Sequence, residues 1–157
     1  MSDCFISYSK TNESLARRVY DELTRHNVSC FLACASIGVG QKWSPEIINN
    51  LKAASWVIVL ASQEACQSAF VNQEIGAALI ASKRIVPIVW DIPPSELPGW
   101  LHEFQAISFA GATYAQQQQK VQSIAKNIRQ DKEKGLLIIG AIGFALIAAG
   151  ILLTDEK

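Results

Sequence analysis

Along the chain, short runs of apolar and β-branched residues alternate with stretches whose apolar positions recur at helical spacing. The runs predict strands at Cys4 to Ser7, Ser29 to Leu32, Trp56 to Leu60, Ile85 to Val89 and Ala106 to Phe109. Between them the 3.6-residue period predicts helices over Ser14 to His26, Pro45 to Ala54, Ser68 to Ser82 and Tyr114 to Arg129, with a short helical segment around Glu96 to Phe104. Leu15, Val19, Tyr20 and Leu23 form the inward face of the first helix, and Val121, Ile124, Ala125 and Ile128 that of the last. Pro93, Pro94 and Pro98 break the chain after the fourth strand, so that crossover is expected to be loop-rich. Regular alternation of strand and helix implies an α/β fold, a five-stranded parallel sheet with helices on both faces.

Gly135 to Leu153 departs from this pattern, with no charge over about 19 residues, which as a helix would span about 28 Å, close to the hydrocarbon core of a bilayer. One C-terminal transmembrane helix is expected there. The chain then divides into a domain at 1–130, a charged juxtamembrane linker at 131–134, the span at 135–153 and a short tail at 154–157. Lys126, Arg129, Lys132 and Lys134 precede the span and Lys157 alone follows it, so the positive-inside tendency makes this a single-pass membrane protein with a cytoplasmic N-terminal domain. Ala141, Ala145 and Ala149 recur every fourth residue, a spacing that allows close helix approach and is also ordinary helix filler.

Composition excludes several functions. Basic and acidic residues number 14 each, so no net field draws the domain toward nucleic acid, and none is expected as a partner. Cys4, Cys30, Cys34 and Cys66 form no CxxC pair and lie in or beside apolar runs, which fits buried reduced thiols and no metal site. Gly38-Val39-Gly40 lacks the third glycine of a dinucleotide fingerprint and follows the second strand, and there is no GxxxxGK[ST] loop. Leu60, Ala61 and Ser62 stand where a phosphoacceptor receiver would need an aspartate. His26 closes a helix and His102 lies in the irregular crossover, so neither makes a recognisable triad.

In parallel sheets ligands bind beyond the carboxyl ends of the strands, here the loops that start at Tyr8, Ala33, Ala61 and Trp90. Glu74 is the only charged residue between Glu64 and Lys83, inside the apolar run SAFVNQEIGAALIA, with Phe70 one turn before it. An isolated carboxylate of this kind is either a half-exposed or ion-paired helix residue or a functional group beside a cleft.

DCFISYSK, FLACASIGVGQKW, VIVLAS, SAFVNQEIGAAL and RIVPIVWDI, in this order, resemble the Toll/interleukin receptor (TIR) domain family, in particular its NAD-cleaving prokaryotic type. The resemblance covers Ser2 to Arg129 and implies a flavodoxin-like sheet. It makes Glu74 the counterpart of the glutamate with which enzymatic TIR domains cleave NAD, Phe70 standing where tryptophan is usual. It further implies an NAD-binding cleft built from Tyr8, Ser9, Lys10, Ile37, Gly38, Gly40 and Trp43, with Ser68 and Phe70 on the carboxylate's own segment. Trp43 offers a stacking surface for a base or anchors its loop onto the following helix. NAD is then substrate, with no further cofactor, and the activity is that of an NAD glycohydrolase or ADP-ribosyl cyclase. Self-association through TIR domains, helped by the membrane span, is implied too, and by family analogy alone a place in immune or cell-suicide signalling. Other family members are non-catalytic adaptors that act by self-association. The chain departs from the family pattern at Ala33, where aspartate is frequent, near Ser9, where a basic residue is common, and at Phe70.

Overall fold

The computed structural model describes residues 2–34, 44–67 and 83–154, and side chains as far as residue 137 apart from that of Trp100. Five strands, β1 (Cys4–Tyr8), β2 (Cys30–Cys34), β3 (Trp56–Leu60), β4 (Arg84–Val89) and β5 (Ile107–Ser108), form one sheet in the order β2-β1-β3-β4-β5. Every pairing is parallel, with Cys4 opposite both Cys30 and Trp56, and Trp56 opposite Arg84. This is the expected sheet, each strand lying within two residues of its predicted place. Around it run α1 (Glu13–Arg25), α2 (Pro45–Ala53), a short α3 (Gln63–Gln67) and α4 (Tyr114–Thr154), and two 3-10 turns fill the proline-rich crossover. α3 was not expected, and the helix predicted over 68–82 lies outside the described residues.

Because β1 and β3 are apolar on both sides, their two-residue alternation supplies two cores. Cys4, Ile6 and Tyr8 of β1 join Trp56, Ile58 and Leu60 of β3 under α1 and α4, where Val19, Leu23, Val121, Ile124 and Ile128 close the layer. Phe5, Val57 and Val59 point to the opposite face, against Leu51 of α2, Ala65 of α3 and Leu97 and Leu101 of the crossover. α1 stops where Asn27 turns to φ 60°, the amide of Val28 bonding the carbonyl of Leu23 and that of Asn27 the carbonyl of Thr24. This pair of bonds caps the orphan carbonyls and aims the chain straight into β2.

Two polar knots fix α4 on the sheet. Near its start the buried Glu22 of α1 accepts from Gln122 at 3.0 Å and Gln118 at 3.2 Å, and also meets Arg25 at 3.1 Å and His26 at 3.2 Å. Hydrogen bonding from Gln122 above all, with help from His26 and Gln118, holds the Glu22 carboxyl below its usual range against the opposing effect of burial. Glutamines of the run Gln116 to Gln119 have structural roles here: Gln116 and Thr113 cap the helix start reciprocally, and Gln118 secures Glu22. At the amino edge of the sheet, Asp131 receives the Trp56 indole N–H at 3.2 Å and pairs with Arg84 at 2.6 Å, while Lys132 pairs with Asp3 at 2.9 Å. The Arg84 guanidinium lies 5.3 Å from the Trp56 ring centroid, completing the cluster.

The expected membrane span requires correction. Residues 135–154 continue α4, which runs for 41 residues from Tyr114 to Thr154. Among the described residues no helix is long and apolar enough to cross a membrane, which overturns both the transmembrane helix at 135–153 and the single-pass membrane placement. The stretch that looked self-contained by hydropathy is the far end of a helix whose first turns are polar and belong to the domain. The side chains of Ala141, Ala145 and Ala149 lie outside the described residues.

Both knots are testable by denaturant unfolding. Asp131→Ala should cost about 1–3 kcal/mol, because it strips the acceptor from the Trp56 indole and the Arg84 guanidinium together. Glu22 has a lowered folded-state pKa, so its contribution is complete above the unfolded-state value and fades as pH falls through the folded one. The stability gap between wild type and Glu22→Gln should accordingly narrow on acidification from neutral pH, and a gap that stays constant would refute the assignment.

Candidate functional site

In the order 2-1-3-4-5 the chain leaves β1 toward one side and β3 toward the other, so the crevice between their following loops is the place where such sheets receive ligands. Tyr8, Ser9 and Lys10 stand there. Tyr8 ends β1 and is 8% exposed; burial raises its phenol pKa, with Cys34 and Glu13 adding to the effect, so it stays protonated at neutral pH. Ser9 is buried and Lys10 is exposed at the rim.

The Ser9 hydroxyl belongs to a directed hydrogen-bond chain. Thr11 donates to the Glu64 carboxylate at 2.7 Å, which obliges Ser9 to donate to Thr11 at 2.8 Å and leaves the Ser9 oxygen to accept from Asn12 Nδ2 at 2.6 Å. The second hydrogen of that amide goes to Ser62 Oγ at 2.8 Å. Ser62, almost fully buried, also accepts from the amide of Ala65 at 3.1 Å and so caps α3. Asp91, just after β4, accepts from the amide of Gln63 at 3.2 Å. Loops after β1, β3 and β4 are thus tied into one rim by side chains.

Pattern reasoning missed Thr11, Asn12, Ser62, Glu64 and Asp91. Only Ser62 carried a signal, a serine directly before the helix-compatible run QEACQ. Of the residues predicted for the site, Ile37, Gly38, Gly40, Trp43, Ser68, Phe70 and Glu74 lie outside the described residues; Tyr8, Ser9 and Lys10 are brought together.

Cys66, near this rim, is a poor nucleophile, its thiol pushed up to about 11 by burial and by the Asp91 carboxylate. None of the four cysteines, all among the described residues, is in a disulfide. Among the described residues no three His, Cys, Asp or Glu side chains gather to hold a metal ion. The described part of the rim offers the exposed Lys10 cation and backbone groups for binding, its Ser9, Thr11 and Ser62 hydroxyls being engaged within the rim itself. On the other side of the β1 loop, between α1 and α4, Asn12, Leu15, Arg18, Trp90 and Phe109 surround an open hollow of about 260 Å³. Arg18 there lies 6.0 Å from the Tyr114 ring centroid.

Comparison with known proteins agrees with this architecture. A probable 2' cyclic ADP-D-ribose synthase of Brachypodium distachyon, BdTIR, is 28% identical over 87 residues, which are 55% of this chain and 39% of that protein. The chain thus spans well under half the length of that relative. The TIR domain of the Toll-related receptor TRR-2 from Hydra magnipapillata superposes with a TM-score of 0.65 at 16% identity, over 82% of this chain and 99% of that one. A TIR-STING receptor from C. gigas, in complex with 2',3'-cGAMP, superposes with a TM-score of 0.61 at 20% identity, over 82% of this chain and 39% of that one. The family model described as TIR domain matches residues 4–126. With that match extending from the first strand deep into the last helix of the domain, the chain belongs to the TIR domain family.

Proposed function

We propose that this TIR domain cleaves the bond between nicotinamide and ribose in NAD, as a glycohydrolase or cyclase, with Glu74 as the catalytic carboxylate. The observation that carries the reading is the similarity to the Brachypodium cyclic ADP-ribose synthase. The position of Glu74 in the chain, alone in an apolar run one turn after Phe70, agrees with it.

The reaction suits a site with one essential carboxylate. Nicotinamide leaves readily, and its departure puts positive charge on the ribose, so the enzyme's task is to stabilise an oxocarbenium-like state. Glu74 supplies negative charge and accepts hydrogen bonds from the ribose hydroxyls. Lys10, exposed at the carboxyl edge of the sheet, suits the pyrophosphate, while Tyr8 holds the loop from within. Ser9 serves through its backbone, since its side chain is engaged by Thr11 and Asn12. On this reading Ile37, Gly38, Gly40 and Trp43, which follow β2 in the chain, and Ser68 and Phe70, which precede Glu74 by six and four residues, also take part in binding NAD. A neighbouring domain closes the cleft, so the active form is a self-associated one.

Glu74→Gln should lower NAD turnover by about a hundredfold or more, the scale of losing a preorganised stabilising group. Chromatographic detection of nicotinamide release measures it, and full activity in the folded variant would end the catalytic assignment. Wild-type rate per molecule should climb steeply with protein concentration, because a shared cleft forms only on encounter. A wild-type chain that releases no nicotinamide at any concentration would instead make this domain an adaptor.

A further inference from the structure

The crevice where doubly wound sheets admit ligands is, in this protein, bridged twice by side chains: Asn12 ties the β1 loop to Ser62, and Thr11 ties it to Glu64. Asn12 Nδ2 reaches Ser9 of the β1 loop at 2.6 Å and Ser62 of the β3 loop at 2.8 Å, so one amide group spends both hydrogens joining the two sides. These residues are some 50 positions apart in the chain. The polarity of the bridge is fixed from both ends. On the β1 side the donors run from Asn12 to Ser9 to Thr11 to the Glu64 carboxylate. On the β3 side Ser62 Oγ already accepts the Ala65 amide, so it receives the Asn12 hydrogen as an acceptor within the cap of α3. Glu64 is the second residue of that same helix, so the circuit returns to its start: loop, amide, cap, helix, carboxylate, loop.

We infer that Asn12 is a positioning residue for the dinucleotide, a staple that fixes the Lys10-bearing loop against the N-terminus of α3. The inference rests on the NAD-cleaving reading above. Ser62 and Glu64 begin the stretch of chain that leads on to Glu74, ten residues beyond Glu64. Anything that holds Ser9 and Lys10 to Ser62 and Glu64 therefore sets where the dinucleotide's phosphates sit relative to the start of that stretch. Asn12 touches no reacting atom in this scheme; it acts through Ser9 and Ser62. Breaking the Asn12 bonds leaves the buried Ser9 and Ser62 oxygens short of a donor, which resists separation of the two loops. Ser62 is 3% exposed and Ser9 is 9% exposed, so water cannot readily replace the lost partner.

Positioning of this kind affects substrate binding in the ground and transition states alike, so its loss should appear in KM and spare kcat. The test uses the full chain at the concentration of maximal wild-type activity. Asn12→Leu preserves the shape of the side chain and removes both donors. It should raise the KM for NAD about tenfold with kcat within about threefold of wild type, the scale expected when a binding loop slips by a fraction of an ångström. Ser62→Ala should raise KM in the same direction, and the double variant should be no worse than the poorer single one, since both changes cut one bridge. A loss of stability alone would lower the active fraction and with it kcat, leaving KM in place; thermal unfolding of each variant identifies that case, which overturns the inference. Unchanged KM in Asn12→Leu, or KM effects of the two substitutions that multiply, overturns it as well while leaving the NAD reading intact. A wild-type chain without NAD cleavage removes both.

Discussion

A parallel sheet has no face it can leave to water, because each connection between its strands returns across one side or the other. That requirement governs the whole domain. β1 and β3, the central strands, are apolar at every position but Ser7, and their alternation feeds Ile6, Ile58 and Leu60 to one layer and Phe5, Val57 and Val59 to the other. α1 and α4 cover the first set, while α2, α3 and the proline-rich crossover cover the second. The two layers are unlike in kind. One is helix against sheet over the full strand length; the other includes 3-10 turns and the short helix that meets the candidate site.

Polar groups decide how these layers are registered. Hydrophobic contact between α1 and α4 would tolerate sliding, whereas Glu22 accepts from Gln118 and Gln122 at one axial position only. Asp131 does the same at the opposite end, where an indole, a guanidinium and a carboxylate meet. Such groups add little net stability beyond apolar replacements of similar size, yet each costs heavily if left without its partner. Their effect is to make one arrangement of the helix much better than its neighbours. The candidate site uses the same device on a smaller scale, with Asn12 registering one loop against another.

What could be read from sequence follows from the range of each signal. Strands and amphipathic helices repeat every two or 3.6 residues, so β3 was placed to the residue and α1 and α2 nearly so. α3 is too short for a period to show, and its cap at Ser62 was visible only as a serine in a suitable place. The apolar stretch after Gly135 was expected as a helix of its own behind a linker, and it continues α4, which begins at Tyr114. For the candidate site, the place of Tyr8, Ser9 and Lys10 at the end of the first strand was legible in the sequence. The bridge from Asn12 to Ser62 spans 50 residues and leaves no periodic trace. Ser9 illustrates the limit well: its place at the strand end was legible, while the use of its hydroxyl depended on Thr11 and Asn12 being turned toward it by folding.

α4 also gives the molecule two poles. It starts beside the carboxyl ends of the strands, and by Asp131, 17 residues and about 26 Å later at helical rise, it has reached their amino ends. The rest of α4, as far as Thr154, continues away from the candidate rim. A reporter, an affinity handle or a surface linkage joined to the far end of α4 would therefore sit behind the sheet, with the loops of the candidate site turned toward free solution. For anyone immobilising the protein, this asymmetry supplies an orientation in advance: the distal helix is the stem, and the crevice between β1 and β3 is the exposed crown.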